Sequence, residues 1–181
     1  MGKGGFGVLV AAAVLCALPA GAWAQTTPTD RSTPPPGGWT LTLQGKKTKV
    51  LPIDKVPSKA KWDGTKAGNI NPQLRYVYEG QLLYKLLGLV DDSKAGFNVA
   101  KAKKGYKVKL YCTDGYKPSF SSKILFKKGR LRKDLIIAKI KAGQPLPAAE
   151  APFRFVGGPP VTQPFNCKLS AKLLTKIRLI F

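Results

Sequence analysis

The chain has no histidine, one methionine and three cysteines among 181 residues, and its 31 Lys and Arg residues face only nine Asp and Glu. Without histidine there is no imidazole base, no Ser-His or Cys-His pair, and no ordinary zinc or haem ligation. The shortage of acids also disfavours chemistry that needs two carboxylates in one cleft. The composition therefore indicates a fold and a location more directly than an activity.

Long hydrophobic runs are rare, and the clearest one lies at the start of the chain. Residues 1–24 have the features of a signal peptide: Lys3, an apolar run over Val8–Leu18, and small residues ahead of a cleavage site after Ala24. The alternative is a transmembrane anchor, but the run is shorter than the ~20 residues that a spanning helix needs. We therefore predict cleavage, no further transmembrane segment, and a secreted or periplasmic protein.

The remainder of the chain divides into a linker and one domain. Residues 25–38 are rich in Thr, Pro and Gly and predict a disordered linker, whereas residues 39–181 are long enough to bury a core. The formal net charge is +22, and +21 remains after residues 1–24, which carry only Lys3. This charge favours an anionic envelope polymer or an acidic redox partner over nucleic acid outside the cytosol. The alternative is a solvated basic surface with no particular partner.

Hydrophobic periodicity predicts more strand than helix. The predicted strands are Trp39–Leu43, Thr48–Ile53, Leu74–Tyr78, Tyr106–Cys112, Leu135–Ile140, Phe153–Val156 and Lys176–Phe181. Short helices are predicted over Leu82–Val90, Phe97–Lys103 and Phe120–Leu125, the last closed by Gly129, and residues 54–72 are predicted to be turns. In the strand over 106–112, Lys107, Lys109 and Tyr111 form a basic outer face. The fold class is α+β, with a mixed, mainly antiparallel, barrel-like sheet.

Several segments, taken in order, resemble the sulfite-oxidase-type molybdopterin-binding domain. They are Tyr78–Leu87, Val108–Tyr116, Leu135–Ala138, Gly143–Pro147, Pro152–Val156 and Lys172–Ile177. The pattern is most similar to short secreted members of the family, through Phe97-Asn98, Gly105-Tyr106 and Asp114-Gly115-Tyr116. The resemblance covers about 39–181 and implies the mixed α+β barrel of that family.

The resemblance also implies a cofactor site, from which this chain departs. Arg154 and Lys172 stand where the family has phosphate-capable cations. However, the segment 66–79 lacks the cysteine that ligates molybdenum, and Ala149-Glu150 replaces a His-Gly pair. We therefore expect no metal and no cofactor. The alternative is an oxidoreductase that binds molybdopterin through Arg154 and Lys172.

Few other residues suggest a site. Cys112 and Cys167 are the only cysteines after residue 24, and an oxidising compartment favours a disulfide between them, the alternative being two separate thiols. Asp114 is predicted to be a turn residue, and Tyr116 beside it packs in the core or at its rim; both are candidates for lining a cleft.

The predicted function is a basic accessory or binding domain, without metal catalysis, for an anionic surface or a redox partner. Two alternatives remain open at this point: an oxidoreductase or a subunit of one that binds molybdopterin, and a polyanion-binding envelope protein unrelated to redox chemistry.

Overall fold

The computed structural model describes residues 34–68, 71–92, 94, 96–158 and 170–181. The predicted signal peptide over 1–24 and most of the predicted linker lie outside these residues. In chain order the strands are β1 Thr40–Gln44, β2 Thr48–Pro52, β3 Ala60–Asp63, β4 Val77–Leu82, β5 Lys107–Cys112, β6 Ser119–Ser121, β7 Phe126–Lys127, β8 Arg130–Leu131, β9 Leu135–Lys141, β10 Gln144–Pro145, β11 Arg154–Gly157 and β12 Leu174–Ile180. The α-helices are α1 Leu83–Leu87 and α2 Val99–Lys104, and 3-10 turns cover Ile53–Lys55, Pro72–Leu74 and Ser122–Leu125.

The strands form two main sheets and a separate hairpin. The first sheet has the order β2-β1-β12-β5-β6, and only its β1–β12 pair is parallel. The second has the order β10-β9-β4-β3, and β11 also pairs with β9; every pair in it is antiparallel. Strands β7 and β8 form the hairpin. The first and last strands of the described domain, β1 and β12, are neighbours in the interior of the first sheet.

The main core lies between one face of each sheet and α1. From the first sheet it takes the alternate residues of β1, β5 and β12, such as Leu43, Leu110 and Ile177, all nearly inaccessible to solvent. From the second sheet it takes Leu135, Ile137 and Phe155, among others. The opposite face of the first sheet is left without a covering layer of described structure, so its outward side chains are half-buried or exposed.

Strand β9 is buried on both faces over residues 135–138, which explains the unbroken apolar sequence of that part of the strand. Leu135 and Ile137 belong to the main core, whereas Ile136 and Ala138 belong to a smaller core with Trp62 and Tyr78. Beside β9, a Cβ atom on Gly80 would lie 2.0 Å from the carbonyl oxygen of Ile137. Glycine is therefore required for β4 to approach β9 at this point, where the pairing register also shifts.

The sequence predictions for most elements are confirmed, and four are corrected. Strand β3 lies in a segment predicted to be turns, and the strand predicted over Leu74–Tyr78 begins only at Val77 because Leu74 closes a 3-10 turn. The helix predicted over Phe120–Leu125 is strand β6 followed by a 3-10 turn. The expected barrel-like sheet is wrong: in the described residues the two sheets remain open and form no closed barrel. The coarser class, α+β with mainly antiparallel strands and few short helices, is confirmed.

Among the residues that the structure describes, none of the helices has both the length and the apolar character needed to cross a membrane.

Candidate anion-binding face

The outward side of the first sheet carries a compact group of cations on two adjacent strands. Lys107, Lys109 and Tyr111 alternate with buried residues on β5, and Lys176 and Arg178 lie on the neighbouring β12. We call these five residues the basic face. Because directly opposed residues of paired strands project from the same side of a sheet, the register places all five together.

The register of β5 and β12 sets like charges opposite each other. Arg178 pairs directly with Lys109, and Lys176 pairs with Tyr111. Opposite charges in such pairs stabilise a sheet, whereas like charges destabilise it by a comparable amount. The sheet therefore tolerates a local electrostatic cost at the centre of the basic face.

The aromatic ring of Tyr111 lies close to two of the ammonium groups. The Nζ atom of Lys109 lies 5.4 Å from the centroid of its ring, and the Nζ atom of Lys176 lies 5.3 Å from it. The negative face of an aromatic ring attracts a cation at this range. The ring thus holds both lysines near the sheet surface without neutralising their charge.

No carboxylate offsets these cations within the sheet. None of its five strands contains Asp or Glu, and among the described residues none of the four cations makes an ion pair. Polar neutral side chains flank the cations instead: Thr42 lies opposite Lys176, Gln44 opposite Arg178, and Ser119 opposite Lys109. Hydroxyl and amide donors beside free cations are suited to binding anionic oxygens.

Arg154, predicted as a phosphate-binding cation, instead lies in a buried ionic network. Its residue is 3% exposed, and its Nη1 atom lies 2.6 Å from Oε2 of Glu150. The guanidinium also donates to the hydroxyl oxygens of Tyr78 at 3.2 Å and of Ser170 at 3.0 Å. Lys141 donates to Oε1 of Glu150 at 2.7 Å, so two cations share one carboxylate.

The network controls the ionisation of Glu150. Burial by itself raises the pKa of this carboxyl, but the hydrogen bonds and positive charges of Lys141 and Arg154 outweigh burial and hold the pKa below its ordinary value. Burial raises the pKa of the Tyr78 hydroxyl, which donates to the carbonyl oxygen of Gln73 at 2.7 Å. Glu150 is therefore ionised and Tyr78 neutral at physiological pH.

The other predicted site residues lie at the surface. Lys172 is exposed, two residues beyond Ser170. Asp114 is an exposed turn residue, as predicted, and its Oδ1 atom accepts a hydrogen bond from the backbone N–H of Tyr116 at 3.0 Å. Tyr116 is 44% exposed rather than packed in the core. The turn accounts for the Asp114 side chain, and no cleft is needed to explain it.

Cys112 is buried and is a free thiol in the structure. Burial, followed by the nearby charge of Asp114, raises its pKa to about 12. Its predicted disulfide partner, Cys167, lies outside the described residues, so the disulfide remains a prediction.

The residues implied to hold a pterin phosphate do not fit that role together. All three guanidinium nitrogens of Arg154 have protein partners, and an incoming phosphate would meet the ionised carboxylate of Glu150. In the described residues there is no group of three or more Cys, Asp or Glu side chains placed to hold a metal ion. The absence of a cofactor remains a prediction, and the contacts of Arg154 give no support to the molybdopterin alternative.

A second basic group, over Lys127–Lys133, was not identified from the sequence. Five of these seven residues are Lys or Arg, and they surround the β7–β8 hairpin. A cleft of about 560 Å³ separates this hairpin from β3. The run Lys-Lys-Gly-Arg-Leu-Arg-Lys was the available signal, but its glycine was interpreted as the end of a helix.

The chain matches no protein-family model, and no curated protein matches it significantly. The resemblance to the molybdopterin-binding domain therefore remains a prediction from the residues quoted above.

Proposed function

We propose that this domain is a non-catalytic binding domain, secreted or periplasmic, whose basic face binds a linear anionic polymer of the cell envelope. The observation that carries the proposal is the direct pairing of Arg178 with Lys109 on a sheet whose strands contain no acid. An unliganded sheet gains nothing from this pair. A polyanion lying across the two strands would place negative charge beside both cations, and its attraction to them would outweigh their mutual repulsion.

The spacing of the cations suits a repeating anion. Neighbouring strands lie about 4.8 Å apart, and alternate residues of one strand about 6.7 Å apart. Lys109 lies opposite Arg178, whereas Lys107 lies opposite Ile180 and Lys176 opposite Tyr111, so the four cations form a staggered row across β5 and β12. A flexible polymer with one charge per repeating unit can place successive anionic groups along this row.

Single-stranded nucleic acid is a less suitable ligand than an anionic polymer without bases. Proteins that bind single strands present successive aromatic rings on which bases stack. Within the described part of the sheet, Tyr111 is the one aromatic residue on the basic face, and two ammonium groups lie close to its ring. The face thus offers charge and hydrogen-bond donors more than stacking area.

The experiment compares retention on a polyphosphate matrix between wild type and Lys109→Gln/Arg178→Gln. The matched control, Lys103→Gln/Lys104→Gln, removes the same charge from exposed positions of α2. We expect the face variant to elute at clearly lower salt, with the dependence of log K on log salt reduced by about two counterions. The control should elute close to wild type.

Equal shifts in the two variants would contradict the proposal, since they would show that only net charge matters. Retention on an acidic protein but not on the polymer would replace the proposal with the acidic-partner alternative.

A further inference from the structure

We infer that the cleft between the β7–β8 hairpin and β3 is a separate site that binds one dianionic phosphate monoester group. The site shares no residue with the basic face, and the inference does not depend on the function proposed for that face.

The hairpin contains several cations that lie close together, and their mutual repulsion lowers its stability. Lys127 pairs directly with Arg130 across the two strands, so like charges again stand opposite each other. Phe126 and Leu131 hold the hairpin by packing against the main core, and the like-charge pair adds nothing to that stability.

The turn of the hairpin places a further cation in an unfavourable conformation. Lys128 and Gly129 both have positive φ, at 49° and 76°, as a type I′ turn requires. Asn, Asp or Gly is preferred at the first of these positions, and a lysine there lacks the short polar side chain that eases the conformation. The turn therefore carries a lysine where Asn, Asp or Gly is favoured, and this lysine lies at the tip of the hairpin, beside the cleft lining rather than within it.

The acids that line the cleft already have partners. Asp134 accepts from Nε of Arg132 at 2.8 Å and pairs with its Nη2 atom, and this hydrogen bonding lowers the pKa of Asp134. Asp63 accepts from the backbone N–H groups of Thr65 and Lys66 at 3.0 and 3.2 Å. Both carboxylates stay charged, and Asp63 also pairs with Lys66 at 3.8 Å. The described lining nevertheless has five Lys or Arg residues against these two Asp residues, so the cleft carries an excess of positive charge.

Two of the lysines that line the cleft, Lys127 and Lys133, make no ion pair within the described residues, although the charge of Lys127 also helps to lower the pKa of Asp134. Lys61, by contrast, pairs with Glu79 at 3.0 Å. Two free ammonium groups match the charge of a phosphate monoester, which approaches −2 near pH 7, better than the single charge of a diester. Trp62, which is 6% exposed, lines the same cleft and provides an apolar wall.

The test is a titration of the ¹⁵N-labelled protein with α-glycerophosphate, a monoester, and with dimethyl phosphate, a diester, followed by NMR. We expect monoester-induced shifts at the Trp62 indole and at the amides of residues 126–134, and markedly weaker binding of the diester. Because the second ionisation of a monoester has a pKa near 6, binding should weaken as the pH falls from 7 to 5.

The variant Lys127→Gln/Lys133→Gln should lose about tenfold in monoester affinity, as expected for the loss of charge-assisted hydrogen bonds. The controls Lys103→Gln/Lys104→Gln and Lys109→Gln/Arg178→Gln should stay within about twofold of wild type. Unchanged spectra of the unliganded variant outside the hairpin would show that the fold is intact.

The inference would be overturned by shifts confined to the basic face, by equal losses in all three variants, or by equal binding of the two esters. Each of these results leaves the polymer-retention experiment unaffected, so the two proposals fail separately.

Discussion

The buried network around Glu150 and the basic face use the same kinds of side chain in opposite ways. In the network, the side chains of Arg154 and Lys141 are 4% and 16% exposed, and both contact one carboxylate. On the basic face, Lys109 and Arg178 lie opposite each other with no acid in any strand of the sheet. A buried cation without a partner is very costly, whereas a cation in water needs none.

In a chain with only nine acids, few cations can have a carboxylate partner, and the two regions show which cations do. Glu150 pairs with the two cations that folding buries and offsets part of their charge, and Asp134 holds Arg132 beside the hairpin. Among the described residues, the basic face and the hairpin segment each hold four Lys or Arg residues without an ion pair, and further unpaired lysines such as Lys103 and Lys104 lie elsewhere on the surface. The excess positive charge thus lies at the surface, where a ligand can reach it.

The largest effect is expected from breaking the buried network. Glu150→Gln leaves Arg154 and Lys141 without a counter-charge, and the unfolding free energy should fall by about 3–5 kcal/mol, as when one partner of a buried pair is removed. Urea denaturation measures the change. The control, Asp54→Asn, removes an exposed pair with Lys55 and should cost less than about 1 kcal/mol. A loss as small as in the control would contradict the role assigned to the network.

The same network should appear in the pH dependence of stability. Because the folded pKa of Glu150 is lowered, its contribution is complete above its unfolded pKa of about 4.3 and disappears as the pH falls through the folded value. The burial of Asp91 raises its pKa and acts in the opposite direction. We therefore expect the difference in unfolding free energy between wild type and Glu150→Gln to shrink below about pH 4. A difference that is constant from pH 7 to pH 3 would contradict this assignment.

Removing one member of the like-charge pair should have a smaller effect, of opposite sign. Lys109→Gln relieves repulsion from Arg178, so the unfolding free energy at low salt should rise by about 0.2–0.5 kcal/mol. The gain should vanish near 1 M salt, where the screening length falls to about 3 Å. Thermal unfolding at two salt concentrations measures it. A clear loss of stability at low salt would indicate that the lysine serves packing rather than binding.

The smallest effect concerns a buried group that carries no charge. With its pKa raised to about 12, the Cys112 thiol should resist alkylation in the reduced native protein at pH 8 and react only after unfolding. Counting thiols in the unreduced, denatured protein then tests the predicted bridge to Cys167. In protein from which residues 1–24, and with them Cys16, have been removed, two reactive thiols would exclude the bridge and none would support it.

Features that are local in sequence were predicted well. The alternation of Lys107, Lys109 and Tyr111 with buried residues identified β5 and its basic outer side, because the period of a strand is two residues. Strand β3 was missed because Ala60–Asp63 is short and lies among lysines and turn residues. The hairpin at Gly129 was missed because a glycine ends helices as readily as it turns strands.

Features that depend on register were not available from the sequence. The opposition of Arg178 to Lys109 joins two strands that are about 70 residues apart in the chain, and no local pattern states which strands pair. Similarly, Arg154 was noticed as a possible phosphate ligand, but only the folded structure places it against Glu150. The cations could therefore be identified from the sequence, whereas which of them lack an ion pair depends on how the strands pair in the fold.

The most direct test of the central claim is a double-mutant cycle on Lys109 and Arg178, measured as unfolding free energy at low salt with and without long-chain polyphosphate. We predict a repulsive coupling in the free protein that becomes favourable when the polymer is bound, because both cations then share the same ligand. A coupling that polyphosphate leaves unchanged would contradict the assignment of this face as the binding surface.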